Sequence, residues 1–229
     1  MTSGMDIYGG RSALERVKAL FKVVFGVGRM PQEVAFHMIQ PGILMEDDHF
    51  QLVSFPVTHR GRDCYGYNFL EKSKRPFLAQ RAEELAIPSG PVRRDLVNGK
   101  TVTLADGRVV TPDDVMGEPV SGAKLSFVGD AGRTEDLIEH VGGADALVIE
   151  ATYLDDEADL ARDFGHLTAR QSARLALEAN VDKLILTHIS RRYTARQVLS
   201  EVQSVFRNTV VAEDFNHYKI YANRSSITK

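Results

Sequence analysis

Three short runs in the second half of the chain, residues 124–128, 146–150 and 183–187, limit what it can fold into more than any other feature. The last, Lys183-Leu184-Ile185-Leu186-Thr187, is apolar enough to be covered on both faces, as the strands of a parallel sheet are. Between the three lie stretches with helical spacing, 134–141 and 168–180. Strands alternating with helices predict a layered α/β architecture. An amphipathic helix over 194–206, the pair Val210-Val211 and a closing strand over 218–221 complete this half.

The first half reads differently. Residues 12–27 place Leu14, Val17, Leu20, Phe21 and Val24 at the spacing of a helix with one buried face, ending near Gly26 and Gly28. Residues 33–39, 42–45, 50–57 and 65–71 read as strands of an antiparallel meander, punctuated by Pro41-Gly42 and Asp47-Asp48. Residues 72–100 hold a short helical stretch, a Pro-Ser-Gly-Pro break and little to bury in their second half, the pattern of a projecting arm. The arm carries seven basic residues, Lys72, Lys74, Arg75, Arg81, Arg93, Arg94 and Lys100, against three acidic ones. Residues 129–163 reverse the sign, with eleven Asp or Glu against two Arg. A net charge of -3 exerts no overall pull on nucleic acid, but the arm can meet a polyanion locally, or the two segments are simply solvated faces of opposite sign.

Whole classes of protein drop out. No apolar stretch approaches the length that spans a bilayer, so no membrane partner is expected. The opening Met1-Thr2-Ser3-Gly4-Met5 lacks the basic and apolar regions of a signal peptide. A lone Cys64 excludes an internal disulfide and fits a reducing cytoplasm.

The chemistry is concentrated where strands stop. Residues 53–57 run into Thr58-His59, 125–128 into Gly129-Asp130, and 184–186 into Thr187-His188. In an open α/β sheet ligands bind at the carboxyl ends of the strands. Imidazole and carboxylate emerging together from one sheet edge suit a borderline divalent ion such as zinc. Gly129 lets the chain turn sharply before the carboxylate. His166, just ahead of the helix opened by Thr168, is placed to point back at the same edge and give a proton to a leaving oxygen. Each of the four taken alone is more often an ordinary capping, hydrogen-bonded or surface residue, and it is the coincidence of three equivalent strand ends that brings the two readings level. His37, His49, His140 and His217 have no comparable neighbours and read as structural or surface residues.

In order, the segments FPVTHRGRDCYGYNFLE, KLSFVGDAGRTEDLIEHVGGADALVIEATY and FGHLTARQSARLALEANVDKLILTHISRRY resemble the ribonuclease Z family of the metallo-β-lactamase superfamily, with family-like spacing. The segment RAEELAIPSGPVRRDLVNGKTVTLADGRVVTPDDV resembles that family's substrate-holding exosite and the hairpin after it. The resemblance implies an αββα metallo-β-lactamase sandwich over residues 5–223, with the basic arm at 72–100 inserted as a tRNA-binding exosite. It implies a zinc-dependent endoribonuclease that matures the 3′ ends of tRNA precursors in the cytoplasm, as a homodimer, with zinc or manganese as the working ion. His59 would bind the first of two zinc ions, Asp130 would bridge both, His188 would bind the second, and His166 would assist the leaving group. Lys72, Lys74, Arg75, Arg93 and Arg94 would contact RNA phosphates.

The sequence departs from that family in two places. The superfamily motif His-x-His-x-Asp-His does not occur in this chain, so the resemblance implies a fold truncated at its amino end. A shortened reading of the gene, an amino-terminal part supplied separately and the loss of metal catalysis each account for this. Ala131 also stands where the family often has threonine, which removes a hydroxyl beside the bridging carboxylate. Two other readings therefore stand beside the nuclease: another phosphodiesterase or arylsulfatase-like hydrolase of the same fold, and a non-catalytic RNA-binding fragment.

Overall fold

A computed structural model describes residues 4–26, 33–61 and 63–222. In chain order the elements are β1 (Met5–Gly9), α1 (Arg11–Phe25), β2 (Val34–Met38), β3 (Gly42–Glu46), β4 (Phe50–Pro56), β5 (Tyr65–Glu71), α2 (Ala79–Glu84) and α3 (Pro91–Val97). There follow β6 (Val102–Thr103), β7 (Val109–Val110), β8 (Lys124–Phe127), α4 (Ile138–Val141), β9 (Ala146–Glu150) and α5 (Ala158–Phe164). The chain finishes with α6 (Ala169–Glu178), β10 (Lys183–Thr187), α7 (Ala195–Val202) and β11 (Thr209–Val211). It divides into two compact units, Lys72–Gly122 and the remainder.

The larger unit is built on a seven-stranded sheet in the order β11-β10-β9-β8-β5-β4-β3. β8, β9, β10 and β11 run parallel, and β5, β4 and β3 continue the sheet antiparallel. The expected α/β half and meander thus share one sheet. The core joins Phe55, Leu147, Ile149, Leu184 and Leu186 of the strands to Ala173 and Leu175 of α6 and Val198 and Val202 of α7. Thr168 and Thr194 open those two helices with capping boxes, exchanging hydrogen bonds with Gln171 and Gln197. The other face of the sheet is partly open, with Phe69 and Phe127 exposed in adjacent strands.

Several expectations need correction. The strand expected at 33–39 is not part of the meander: β2 pairs in parallel with β1, a strand missed because five residues beside the chain start show no clean alternation. In α1 the first turns bury Leu14, but Leu20, Val23 and Val24 are exposed, so the apolar face is covered at one end only. The helix expected over 134–141 is the single turn α4, because residues 130–137 are used in loop contacts described below. Residues 218–221 form no strand. α5 was not anticipated, since its polar sequence ADLARDF hides a short helix. The expected helix end at Val27 and Gly28, the opening residues 1–3 and the domain limit at 223 lie outside the described residues.

The smaller unit corrects the reading that the second half of residues 72–100 has little to bury. Ala82, Ile87 and Leu96 from the two helical stretches meet Leu104, Val110 and Val115 from the β6–β7 hairpin and the turn beyond it in a core of their own. Leu96 and Val115 are fully buried. The basic stretch is therefore half of a unit that runs on to Gly122, and over residues 72–122 eight Lys or Arg face seven Asp or Glu. Its positive excess is confined to the helical half.

Candidate metal-dependent active site

Strands β4, β8, β9 and β10 all finish at the same edge of the sheet, because β4 and β8 both run antiparallel to β5 while β9 and β10 run parallel to β8. That edge collects His59, Asp130 and His188, together with His166 from the turn before α6. His59 Nδ1 donates a hydrogen bond to the carbonyl of Gly165 at 2.8 Å, which leaves the Nε2 lone pair free. His59 Nε2 lies 4.0 Å from Asp130 Oδ2, and His188 Nε2 lies 3.6 Å from Asp130 Oδ1. The two oxygens of one carboxylate thus face two different imidazoles. His188 has φ 53°, a left-handed conformation that bends the chain at the end of β10.

His166 completes the group. Its ring centroid is 5.4 Å from that of His59 and 5.3 Å from that of His188. Asp130, His166 and His188 each offer a ligand atom within 4.8 Å of the others. The chemistry of this donor set, imidazole nitrogens around a carboxylate, fits a borderline divalent ion. Imidazole nitrogens and a carboxylate so placed, with Nε2 of His59 beside them, could hold one ion.

The residue that sequence reasoning missed is Glu150. Its side chain has 0% exposure, yet it is a carboxylate at the end of a core strand. It accepts the backbone N–H of Ala131 at 2.7 Å and of Leu167 at 3.2 Å, the Thr152 hydroxyl, and Nδ1 of His166 at 3.1 Å to each oxygen. Ser172 holds its carbonyl at 2.7 Å. Four donors offset the cost of taking the charge out of water. They also orient the imidazole, directing Nε2 of His166 away from the carboxylate. The signal was available: β9 ends in a charged residue just as β4, β8 and β10 run into polar ones.

The loops are tied to one another. Thr58 donates its hydroxyl proton to Asp136 Oδ2 at 2.6 Å, and Arg60 donates to the carbonyl of Asp163 at 3.0 Å. Burial alone would push the Asp136 carboxyl up, but hydrogen bonds from Thr58 and Arg133 outweigh it and hold the group below the ordinary carboxylate value. Of the histidines set aside, His140 stacks on Phe55 with centroids 4.7 Å apart, and His37 pairs with Asp6 at 2.6 Å.

The basic residues of the smaller unit divide by what they do. Arg75 spends its guanidinium on the carbonyls of Gly117 and Met116 and on Asp113. Arg93 donates twice to the carbonyl of Ile87. Arg94 and Lys74 are exposed, and Lys72 is half-buried.

A sheet edge that gathers imidazoles around one carboxylate, on this strand order, defines a metal-dependent hydrolase of the metallo-β-lactamase type. Residues 97–189 match the family model described as beta-lactamase superfamily domain. Ribonuclease Z of Bradyrhizobium sp. (strain ORS 278) is 41% identical over 216 residues, covering 94% of this chain and 72% of that protein. Ribonuclease Z of Listeria innocua is 37% identical over 222 residues, covering 95% and 72%. The chain belongs to the ribonuclease Z family. Among solved structures, the short form of human tRNase Z superposes with TM-score 0.59 at 18% identity over 96% of this chain and 69% of its own. The metallo-beta-lactamase fold protein YhfI from Bacillus subtilis superposes with TM-score 0.58 at 17% identity over 92% of this chain and 63% of its own. At such identities the two structures establish the fold alone, and this chain spans less than two thirds of the second.

Proposed function

We propose that this chain acts as a zinc-dependent endoribonuclease that matures the 3′ ends of tRNA precursors. The observation that carries the reading is the Asp130 carboxylate set between the imidazoles of His59 and His188, beside a histidine held by a buried carboxylate. His59, Asp130 and His188 would hold the metal, each oxygen of Asp130 facing one of the two imidazoles. A divalent ion held there would supply an activated water near neutral pH and offset charge on a phosphodiester. His166, held through Nδ1 by Glu150, would present Nε2 to the departing oxygen and assist it. A second zinc ion asks for more donors than these residues provide.

The helical half of the smaller unit would grip the substrate through phosphates, reading RNA shape and weakening as salt rises. The exposed Arg94 is suited to contact, with Lys72 and Lys74 adding positive charge to the same unit, while Arg75 and Arg93 would act by fixing the loops they tie. The same proposal includes a cytoplasmic location and a homodimer, for which light scattering should give twice the chain mass. No helix among the described residues is long and apolar enough to cross a membrane.

The test is cleavage of a labelled tRNA precursor carrying a 3′ trailer, with zinc or manganese supplied. The expected product ends after the discriminator nucleotide, and a chelator abolishes it. Chelator-insensitive binding without cleavage would replace this reading with an RNA-binding fragment. Hydrolysis of small aryl phosphate or sulfate esters, with the precursor left intact, would replace it with another hydrolase of the same fold.

A further inference from the structure

Two of the loops at the candidate metal edge are strapped together by a pair of hydrogen bonds through one threonine. The N–H of Gly132, two residues after Asp130, donates to the carbonyl of Thr58, the residue before His59, at 2.7 Å. Thr58 Oγ1 in turn donates to Asp136 Oδ2, which Arg133 Nε also reaches at 3.1 Å. One threonine therefore receives a bond from the Asp130 loop through its backbone and gives one back through its side chain. Both donors fall on Oδ2, and the other carboxylate oxygen, Oδ1, is buried with no hydrogen-bond partner among the described residues.

We infer that Thr58 and Asp136 are positioning residues that set the separation of His59 from Asp130, 4.0 Å between Nε2 and Oδ2, and thereby the affinity of that pair for a divalent ion. The inference rests on the reading of His59 and Asp130 as ligands. It follows the general behaviour of metal sites, in which the groups that orient the ligands govern binding almost as strongly as the ligands do. The working atom is the Thr58 hydroxyl. Thr58→Val keeps the shape and removes the donor, whereas Thr58→Ser keeps the donor. Asp136→Ala removes the acceptor, whereas Asp136→Asn can keep one oxygen toward Thr58 and turn its amide toward the unpaired Oδ1 position.

The experiment is zinc competition against a chromophoric chelator on the full chain, paired with hydrogen exchange of the Gly132 amide in the metal-free protein. Thr58→Val and Asp136→Ala are expected to bind zinc about tenfold more weakly or worse, with Thr58→Ser and Asp136→Asn close to the parent. Should Asp136→Ala fail to fold, the valine and serine variants carry the comparison. In the metal-free chain, Gly132 exchange should accelerate in Thr58→Val and stay slow in Thr58→Ser. Equal zinc affinity in Thr58→Val and the parent, or exchange that does not distinguish valine from serine, overturns the inference. A parent that binds no zinc while exchange follows the expected pattern overturns the ligand reading instead and leaves the strap established.

Discussion

His166 Nδ1 sits 3.1 Å from both oxygens of Glu150, a carboxylate with no solvent exposure that also gathers the N–H groups of Ala131 and Leu167. One side chain thus joins the loop after β8, the end of β9 and the turn before α6. Glu150→Gln presents amide hydrogens to groups that are themselves donors, leaving at least one of them unpaired. The expected cost is about 1.5–3 kcal/mol of stability, in the range for hydrogen bonds to a charged group. Urea denaturation measures that loss, and single-turnover cleavage should fall with it. A glutamine variant equal to the parent in both would reduce Glu150 to a space-filling residue.

Metal content is the next expectation. Purified protein loaded with zinc should retain it through gel filtration, and Asp130→Ala should lose it, since the two oxygens of that carboxylate face both imidazoles. His188→Ala should weaken retention, and chelation of the parent should lower its melting temperature because a ligand that binds only the folded state stabilises it by mass action. Elemental analysis showing the same zinc in Asp130→Ala as in the parent would place the ion elsewhere.

The architecture was legible where hydrophobic pattern and strand ends coincide. The runs 124–128, 146–150 and 183–187 become β8, β9 and β10, and His59, Asp130 and His188 converge because strand direction alone decides which ends meet. Glu150 was overlooked because it was read only as the last residue of the strand run Ala-Leu-Val-Ile-Glu, and only three dimensions show four donors converging on it. β1 and the core of the smaller unit were illegible for another reason. Leu96, Leu104 and Val115 are far apart in sequence with no period between them, so their meeting is tertiary information. Arg75 and Arg93 counted as free positive charge until their carbonyl partners were seen.

Acid stability should carry the mark of Asp136. Its carboxyl is held below the unfolded value of 3.8 by Thr58 and Arg133 despite partial burial. The unfolded chain therefore takes up this proton first as pH falls. The stability it contributes is complete above the unfolded value and drains away as pH drops through the folded one. Urea midpoints followed from about pH 5 to pH 3 should fall more steeply in the parent than in Asp136→Asn, which has no proton to bind at that position. Parallel curves would mean that the hydrogen bonds from Thr58 and Arg133 do not favour the charged form.

The smaller unit allows its charges to be separated from its packing. Arg94 is exposed, so Arg94→Ala should leave the melting temperature unchanged while weakening RNA binding, with the salt slope reduced by about one. Arg75→Ala should act the other way, since it strips hydrogen bonds from the Gly117 and Met116 carbonyls and an ion pair from Asp113. Leu96→Ala empties a fully buried site and should cost about 2–5 kcal/mol within that unit. Filter binding across a salt series, run beside thermal melts of all three variants, tests the division. If Arg94→Ala binds RNA as the parent does and only the destabilised variants lose affinity, the unit serves as scaffold and the phosphate contacts belong to other residues.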